Sequence, residues 1–328
     1  MREGVIILSI LFIMKDHVSI IYNELKDTIL KDAKGESISI SVPETGSKGG
    51  VVICEFTDRD SKSHKIVVKY TDDSDIDSID LQTTINSIDI TLAPKILYRC
   101  DEFYVEEFIE GTECTADNVS DDIVLKGVKN SVDTLSSLHI TDARTFVDVF
   151  DEMYQRVKVN LTETSIYLIS VNFPEEEEKI RDILLHAFDN LEGFNRTLHK
   201  IFEIQDTLTI CHNDIHQENI IITGDSVRLI DFEFCAINNP KYDLVNFYEE
   251  TYISTEDHIE LSDLISGIPE DEYIKLALCN SIFWSVWGID KLIQTNKREF
   301  AYYLSMRLSR LQHLLDRFRE LPEPEPRN

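Results

Sequence analysis

Three polar residues set around two short apolar runs carry the strongest chemical signal in the chain. Asp214 is followed five residues later by Asn219, and Asp231 lies just past the second run, all within LTICHNDIHQENIIITGDSVRLIDFEF, residues 208–234. The runs Ile220–Ile222 and Val227–Ile230 flank Thr223-Gly224-Asp225-Ser226, which predicts a β-hairpin. Such a hairpin holds the loop His212–Asn219 beside the segment that starts at Asp231. A carboxylate that accepts a hydroxyl proton, with an amide and a second carboxylate offering hard oxygens to Mg²⁺, is the equipment of phosphoryl transfer. A purely structural hairpin shows the same alternation of polar and apolar residues. What lifts the signal above that reading is the HxDxxxxN spacing coupled to the hairpin and to the closing Ile230-Asp231-Phe232-Glu233.

The elements around this segment follow from periodicity. After Asp16, Val18, Ile21, Tyr22, Leu25 and Ile29 recur at helical spacing. Short β-type runs at Ser37–Val42, Val51–Phe56 and Ile66–Tyr70, a helix around Ile79–Ile90, and strands near Ile96–Tyr98 and Phe103–Phe108 predict a small antiparallel sheet carrying one helix. Beyond residue 115 the pattern is helical to Phe318, apart from the β segment at 208–234, and the Pro-Glu tail reads as disordered. The expected division is an N-terminal apolar segment and helix (1–34), a β-rich lobe (35–111), a helical lobe (112–320) and a tail (321–328). A short hinge falls near Glu110-Gly111, and the class is α+β.

Composition narrows the function. The 328 residues include 61 acidic and 32 basic side chains, a formal charge of −29. That balance argues against nucleic-acid binding, which recruits Lys and Arg in excess, and suits a cationic small molecule. Six scattered cysteines with no CxxC pair read as reduced thiols of an intracellular, cytoplasmic protein, not a zinc site. Val5–Met14 (VIILSILFIM) is too short to span a bilayer and lacks a cleavage site, so a buried element or an upstream start is expected over a membrane-surface anchor.

HNDIHQEN followed by LIDFEF, Asn238, Tyr242-Asp243-Leu244-Val245-Asn246-Phe247 and Glu249-Glu250 resembles the choline/ethanolamine kinase family, which has the protein-kinase-like two-lobe fold shared with aminoglycoside phosphotransferases. Ala93-Pro94-Lys95, Val105–Gly111, Phe283–Trp287 and Tyr303–Arg307 extend the likeness over residues 46–318. The resemblance implies Asp214 as catalytic base, Asn219 and Asp231 as magnesium ligands, and Lys69 as the cation on the phosphates of ATP. It also implies that Asp80 presents a carboxylate to Lys69 and that Gly49, Gly50 and Glu107 line the nucleotide. Phe234, Trp284, Trp287 and Tyr303 would box the amine, with Glu250 as counter-charge and Asp243 bracing the catalytic loop. The implied reaction moves the γ-phosphate of ATP to choline or ethanolamine, the entry step of the CDP route to phosphatidylcholine or phosphatidylethanolamine; dimers are common in the family.

Two features stand against a simple transfer of the family pattern. Ile53 occupies the place where the family's phosphate loop has Asn, and Asp80 stands where Glu is usual. The tryptophans, three apart, also fit a core helix, in which case they bind nothing. A kinase of another amino alcohol or of an aminoglycoside, or a pseudokinase that only binds, are the competing functions. A protein kinase is disfavoured, because Asp231-Phe232-Glu233 replaces DFG and no APE segment follows.

Overall fold

The structure, a computed structural model, describes residues 20–31, 33, 39–41, 50–71, 76–89, 91–205, 207–254 and 261–321. The apolar run 5–14, the Asp16 cap, Gly49 with the turn before it, and the tail 322–328 lie outside the described residues. The chain divides into two compact units, Met1–Glu110 and Gly111–Asn328.

In the first unit a helical segment, α1, covers residues 20–25. Strands β1 (Ser39–Ser41), β2 (Val51–Thr57), β3 (Ser63–Tyr70), β4 (Ile96–Arg99) and β5 (Phe103–Glu107) follow, with helix α2 (Ile76–Ile88) between β3 and β4. They form an antiparallel sheet in the order β1-β2-β3-β5-β4. Alternation sorts the side chains: Val52, Cys54 and Phe56 of β2, Ile66 and Val68 of β3 and Val105 of β5 enter one core with Ile21 and Leu25. The intervening residues take the other face. The register pairs Lys69 with Tyr104 and Val67 with Glu106, so Lys69 and Glu106 are diagonal neighbours on that face. Helix α2 begins one turn earlier than the apolar spacing predicts, with Asp77 in its first turn at the positive end of the helix dipole.

In the second unit β6 (Thr112–Glu113) pairs with β8 (Ile220–Thr223), β8 with β9 (Ser226–Leu229), and β7 (Thr209–Cys211) with β10 (Ala236–Asn238), all antiparallel. The predicted hairpin is β8–β9, and Gly224, at φ 69°, supplies the positive φ that its two-residue turn needs. The helices are α3 (Asp122–Ser136), α4 (Phe146–Asn160), α5 (Glu163–Ser170), α6 (Glu177–Glu203), α7 (Tyr242–Ser254), α8 (Ser262–Ile265), α9 (Glu270–Thr295) and α10 (Arg298–Glu320). Every residue of α9 from Leu276 to Val286 is buried, so this helix is the centre of the unit and α4, α6, α7 and α10 pack around it. At Gly288 a Cβ would stand 3.3 Å from the Tyr303 ring, so the glycine lets that ring approach the backbone of α9 closely. Among the described residues no helix is long and apolar enough to cross a membrane. All six cysteines are free thiols.

Candidate active site

The loop between β7 and β8 is held from three sides. Asp243, buried in the first turn of α7, accepts the backbone N–H of His212 at 2.8 Å and of Asn213 at 2.7 Å, the bracing role expected of it. Asn213 turns the chain at φ 66°, a left-handed conformation that Asn tolerates better than most residues. Its buried amide donates to Phe234 O at 3.0 Å and accepts from Asn238 at 2.8 Å, tying the loop to the segment after Asp231. His212 Nε2 donates to Ile230 O at 2.9 Å while Nδ1 accepts the Asp214 N–H, which assigns one neutral tautomer.

These contacts set Asp214, 7% exposed, beside Asn219. The Asn219 Nδ2 group donates to Asp214 O at 2.9 Å and to Asp214 Oδ2 at 3.0 Å, which turns the amide oxygen of Asn219 away from Asp214. Asn219 O accepts the Ile230 N–H at 3.0 Å, so the loop and the end of β9 are joined just before Asp231. Asp231 itself sits at φ 64°, ψ 68°, a strained conformation for a residue with a side chain and the kind that accumulates at functional sites.

Charge is concentrated here. Burial, then the negative charges of Asp231, Glu233 and Glu250, push the Asp214 carboxyl well above the usual range. His216, whose Nε2 lies 3.7 Å from Asp214 Oδ1, is held down to about 4 by burial and is neutral near pH 7. Crowded carboxylates that raise one another's proton affinity are relieved by a cation. The donor set therefore fits a divalent ion bound through Asp231 and the Asn219 oxygen. Among the described residues no group of three or more His, Cys, Asp or Glu side chains could hold a metal unaided. Two protein ligands with the remainder from phosphate and water is the usual arrangement for Mg²⁺.

Next to this loop the structure gathers the aromatic residues. Phe234 packs edge-to-face on Trp284 (5.4 Å between ring centres), Trp284 on Trp287 (5.5 Å), and Trp287 on both Phe300 and Tyr303 (5.6 Å each). Trp284 belongs to the hydrophobic core, whereas Trp287, Phe234 and Tyr303 are half-buried at its border. Glu250 is not an unengaged counter-charge: the buried guanidinium of Arg307 pairs with it. Arg307 also donates to Tyr303 Oη at 2.9 Å and to Asn280 Oδ1 at 3.1 Å, and lies over the Tyr303 ring. Glu250 and Tyr303 keep that guanidinium charged in spite of its burial. Neighbouring Glu249, fully buried, is bound by both Arg310 and Tyr273, so two ion pairs fasten α7 to α10.

In the first unit, Lys69 Nζ stands 2.7 Å from Glu106 Oε1 and not against Asp80. The expected Lys69–Asp80 pair is thus not formed. Asp80 falls on the outer side of α2, where it pairs with Arg99 at 2.5 Å, because the inner side presents Ser78, Ile79, Leu81, Gln82 and Ile85. Glu107 is joined to Lys95 twice, its backbone N–H donating to Lys95 O at 2.9 Å and its carboxylate accepting the Lys95 N–H at 3.1 Å. Gly50 O accepts the Tyr70 N–H at 2.9 Å. Ile53 is an ordinary strand residue paired with Val67, which is why the β-branched side chain is at home where the family has Asn.

Glu106, Gln82, Arg307 and Asn213 were not picked out in the sequence. For Arg307 a signal existed: it interrupts the apolar stripe Phe300, Leu304, Leu308, Leu311 on α10, and a charge in that position needs a buried partner.

A family model described as choline/ethanolamine kinase matches residues 52–264. The chain is 24% identical to protein LicA of Haemophilus influenzae over 205 residues, 58% of this chain and 54% of that protein. It is 25% identical to probable choline kinase 3 of Arabidopsis thaliana over 239 residues, 64% of each chain. The matched region thus spans between half and two thirds of the length of these curated relatives. Among solved structures, the choline kinase of Cryptosporidium parvum superposes with a TM-score of 0.60 at 18% identity, covering 92% of this chain and 97% of that one. The fold is that of the kinase-like phosphotransferases, and the chain belongs to the choline/ethanolamine kinase family, whose members are small-molecule kinases.

Proposed function

We propose that this chain transfers the γ-phosphate of ATP to the hydroxyl of choline or ethanolamine, as the entry step of a CDP-linked route to phospholipids. The observation that carries the reading is the buried Asp214, clamped by Asn219 and surrounded by Asp231, Glu233 and Glu250. A carboxyl raised by its surroundings is a stronger base than an exposed aspartate, suited to taking the proton of an attacking alcohol. When bound through Asp231 and Asn219, Mg²⁺ would spread the charge that develops on the transferred phosphoryl group.

The residues of this chain do the rest. Asp243 and Asn213 fix the loop backbone, so Asp214 Oδ1 keeps one position relative to the hydroxyl it deprotonates, and Asn219 holds Oδ2. His216, neutral beside Asp214, adds a donor without adding charge. Lys69 meets the nucleotide phosphates, and Gly49, Gly50 and Glu107 border the nucleotide. Phe234, Trp287 and Tyr303 hold the amine by cation–π attraction, as the Arg307 guanidinium over Tyr303 and the Lys291 ammonium 5.8 Å from the Trp287 ring centre already illustrate, and Trp284 backs them from the core. Glu250 then acts as part of a neutral pair with Arg307 and shapes the amine site without offering it a full charge.

The test is ADP release with choline, ethanolamine, an aminoglycoside or no acceptor. Turnover that depends on choline or ethanolamine is expected. Turnover with the aminoglycoside alone, or nucleotide binding with no turnover on any acceptor, contradicts the reading.

A further inference from the structure

The lysine of the first unit is held in an unusual way. Lys69 and Glu106 are 13% and 3% exposed, and their charged atoms meet at 2.7 Å. The second oxygen of Glu106 accepts the Gln82 Nε2 group at 2.9 Å, and that group also donates to Pro94 O at 2.8 Å. Gln82 is 2% exposed and sits midway along the inner side of α2. One turn on, Asn86 Nδ2 donates to the same Pro94 O at 2.8 Å.

In protein kinases the lysine's carboxylate partner stands on the helix. Here the carboxylate stands on the sheet, placed diagonal to Lys69 by the β3–β5 register, and the helix offers an amide. The reversal has a physical reason. With Glu106 already on the sheet, a carboxylate at residue 82 would face it as a like charge in a buried setting, whereas an amide N–H donates to it. We propose that Gln82 is a positioning residue for nucleotide binding: acting through Glu106, it fixes where Lys69 presents its ammonium, and Asp80 has no part in this. The proposal rests on the reading of Lys69 as the nucleotide-phosphate lysine. Its consequence is that the seat of α2 on Pro94 and the position of the lysine are one mechanical unit. If the Gln82 amide is lost, one oxygen of Glu106 is left without its donor and the Lys69–Glu106 pair can swing.

The experiment uses the full chain and measures Mg·ATP affinity without acceptor, together with KM for ATP and for choline. Gln82→Met keeps length and volume but removes both donors. It should weaken ATP binding by about tenfold, the size expected for a hydrogen bond to a charged group, and leave KM for choline unaltered. In a Lys69→Met background the same change should have no further effect on ATP affinity, because the residue it acts through is gone. Asp80→Ala should change nothing. If the methionine variant fails to fold, Gln82→Ala, which trims rather than replaces the side chain, must give the same selective loss. A lowered Tm with unaltered ATP affinity would overturn the proposal, leaving Gln82 as packing alone, and so would an equal loss in the Lys69→Met background. Should Lys69→Met itself bind ATP as well as the wild type, the reading of Lys69 fails and takes the proposal with it.

Discussion

Lys69 in the first unit faces the Glu106 carboxylate, and the second oxygen of that carboxylate is taken by a neutral amide. Around Asp214 in the second unit stand Asp231, Glu233 and Glu250, with Arg307 paired to the last of them. The first arrangement balances within the protein, as buried charges in a folded chain usually must. The second sets carboxylates close enough to raise the Asp214 pKa, an arrangement that a bound cation relieves. A site that raises the proton affinity of its base in this way suits a ligand that includes a cation. The contrast also separates two kinds of residue: Glu106 and Gln82 position a group, whereas Asp214 and Asp231 are set to react or to ligate.

The contrast breaks most severely at Asp214. Asp214→Asn keeps shape and hydrogen bonding but removes the proton acceptor, and turnover should fall by about 10²–10⁴-fold with ATP binding retained. Activity within tenfold of the wild type would remove Asp214 as the base.

Next in size is the buried Arg307 guanidinium paired with Glu250. Glu250→Gln leaves Arg307 buried without its counter-charge, so the variant should lose about 3–5 kcal/mol of stability in chemical denaturation. A variant of normal stability with a selectively raised amine KM would instead make Glu250 the direct counter-charge of the substrate.

Trp287→Ala comes third. As a wall of the amine site it contributes on the order of 2 kcal/mol, about thirtyfold in amine KM. Trp284, lying in the core, should behave differently: alanine there should chiefly lower the melting temperature, by the ~3–5 kcal/mol of a buried aromatic side chain. Equal behaviour of the two variants in both measurements would contradict the division drawn between them.

A subtler probe is pH. Turnover needs Asp214 deprotonated, and burial with three neighbouring carboxylates raises its pKa, so the acid limb of the rate profile should lie above the ordinary aspartate value of about 3.9. Glu233→Gln removes one of those negative charges, lowers the Asp214 pKa and should move the limb to lower pH. A limb that stays put would show that Glu233 does not act on the base. The smallest effect belongs to Asp80, whose side chain is 66% exposed. Alanine there should change stability by no more than about 0.5 kcal/mol.

The sequence made the second unit far more legible than the first. Asp214, Asn219 and Asp231 are spaced by a single hairpin, so local turn chemistry at Gly224 was enough to bring them together. Asp243 could be read as a brace through the family resemblance of the segment that carries it. The partner of Lys69 could not be read in the same way. It depends on which residues of β3 and β5 stand opposite each other, and a one-residue slip moves Glu106 to the far face of the sheet. Counting along α2 pointed to Asp80, but the side of the helix that faces inward is decided by Ile79, Leu81 and Ile85, whose burial rotates Asp80 out and Gln82 in. The Glu250–Arg307 pair joins residues 57 apart in the chain, and only the packing of α7 and α10 against α9 makes them neighbours.

The central claim, that the carboxylate cluster is a phosphoryl-transfer site for a small cationic alcohol, is tested most directly by following ³¹P NMR of ATP, Mg²⁺ and choline or ethanolamine with wild-type protein and with Asp214→Asn. The account predicts that the wild type converts the γ-phosphate signal into that of the phosphorylated amine and that the variant leaves ATP unchanged over the same time. A wild type that forms no phosphorylated amine, or a variant that forms it at an equal rate, would contradict the claim.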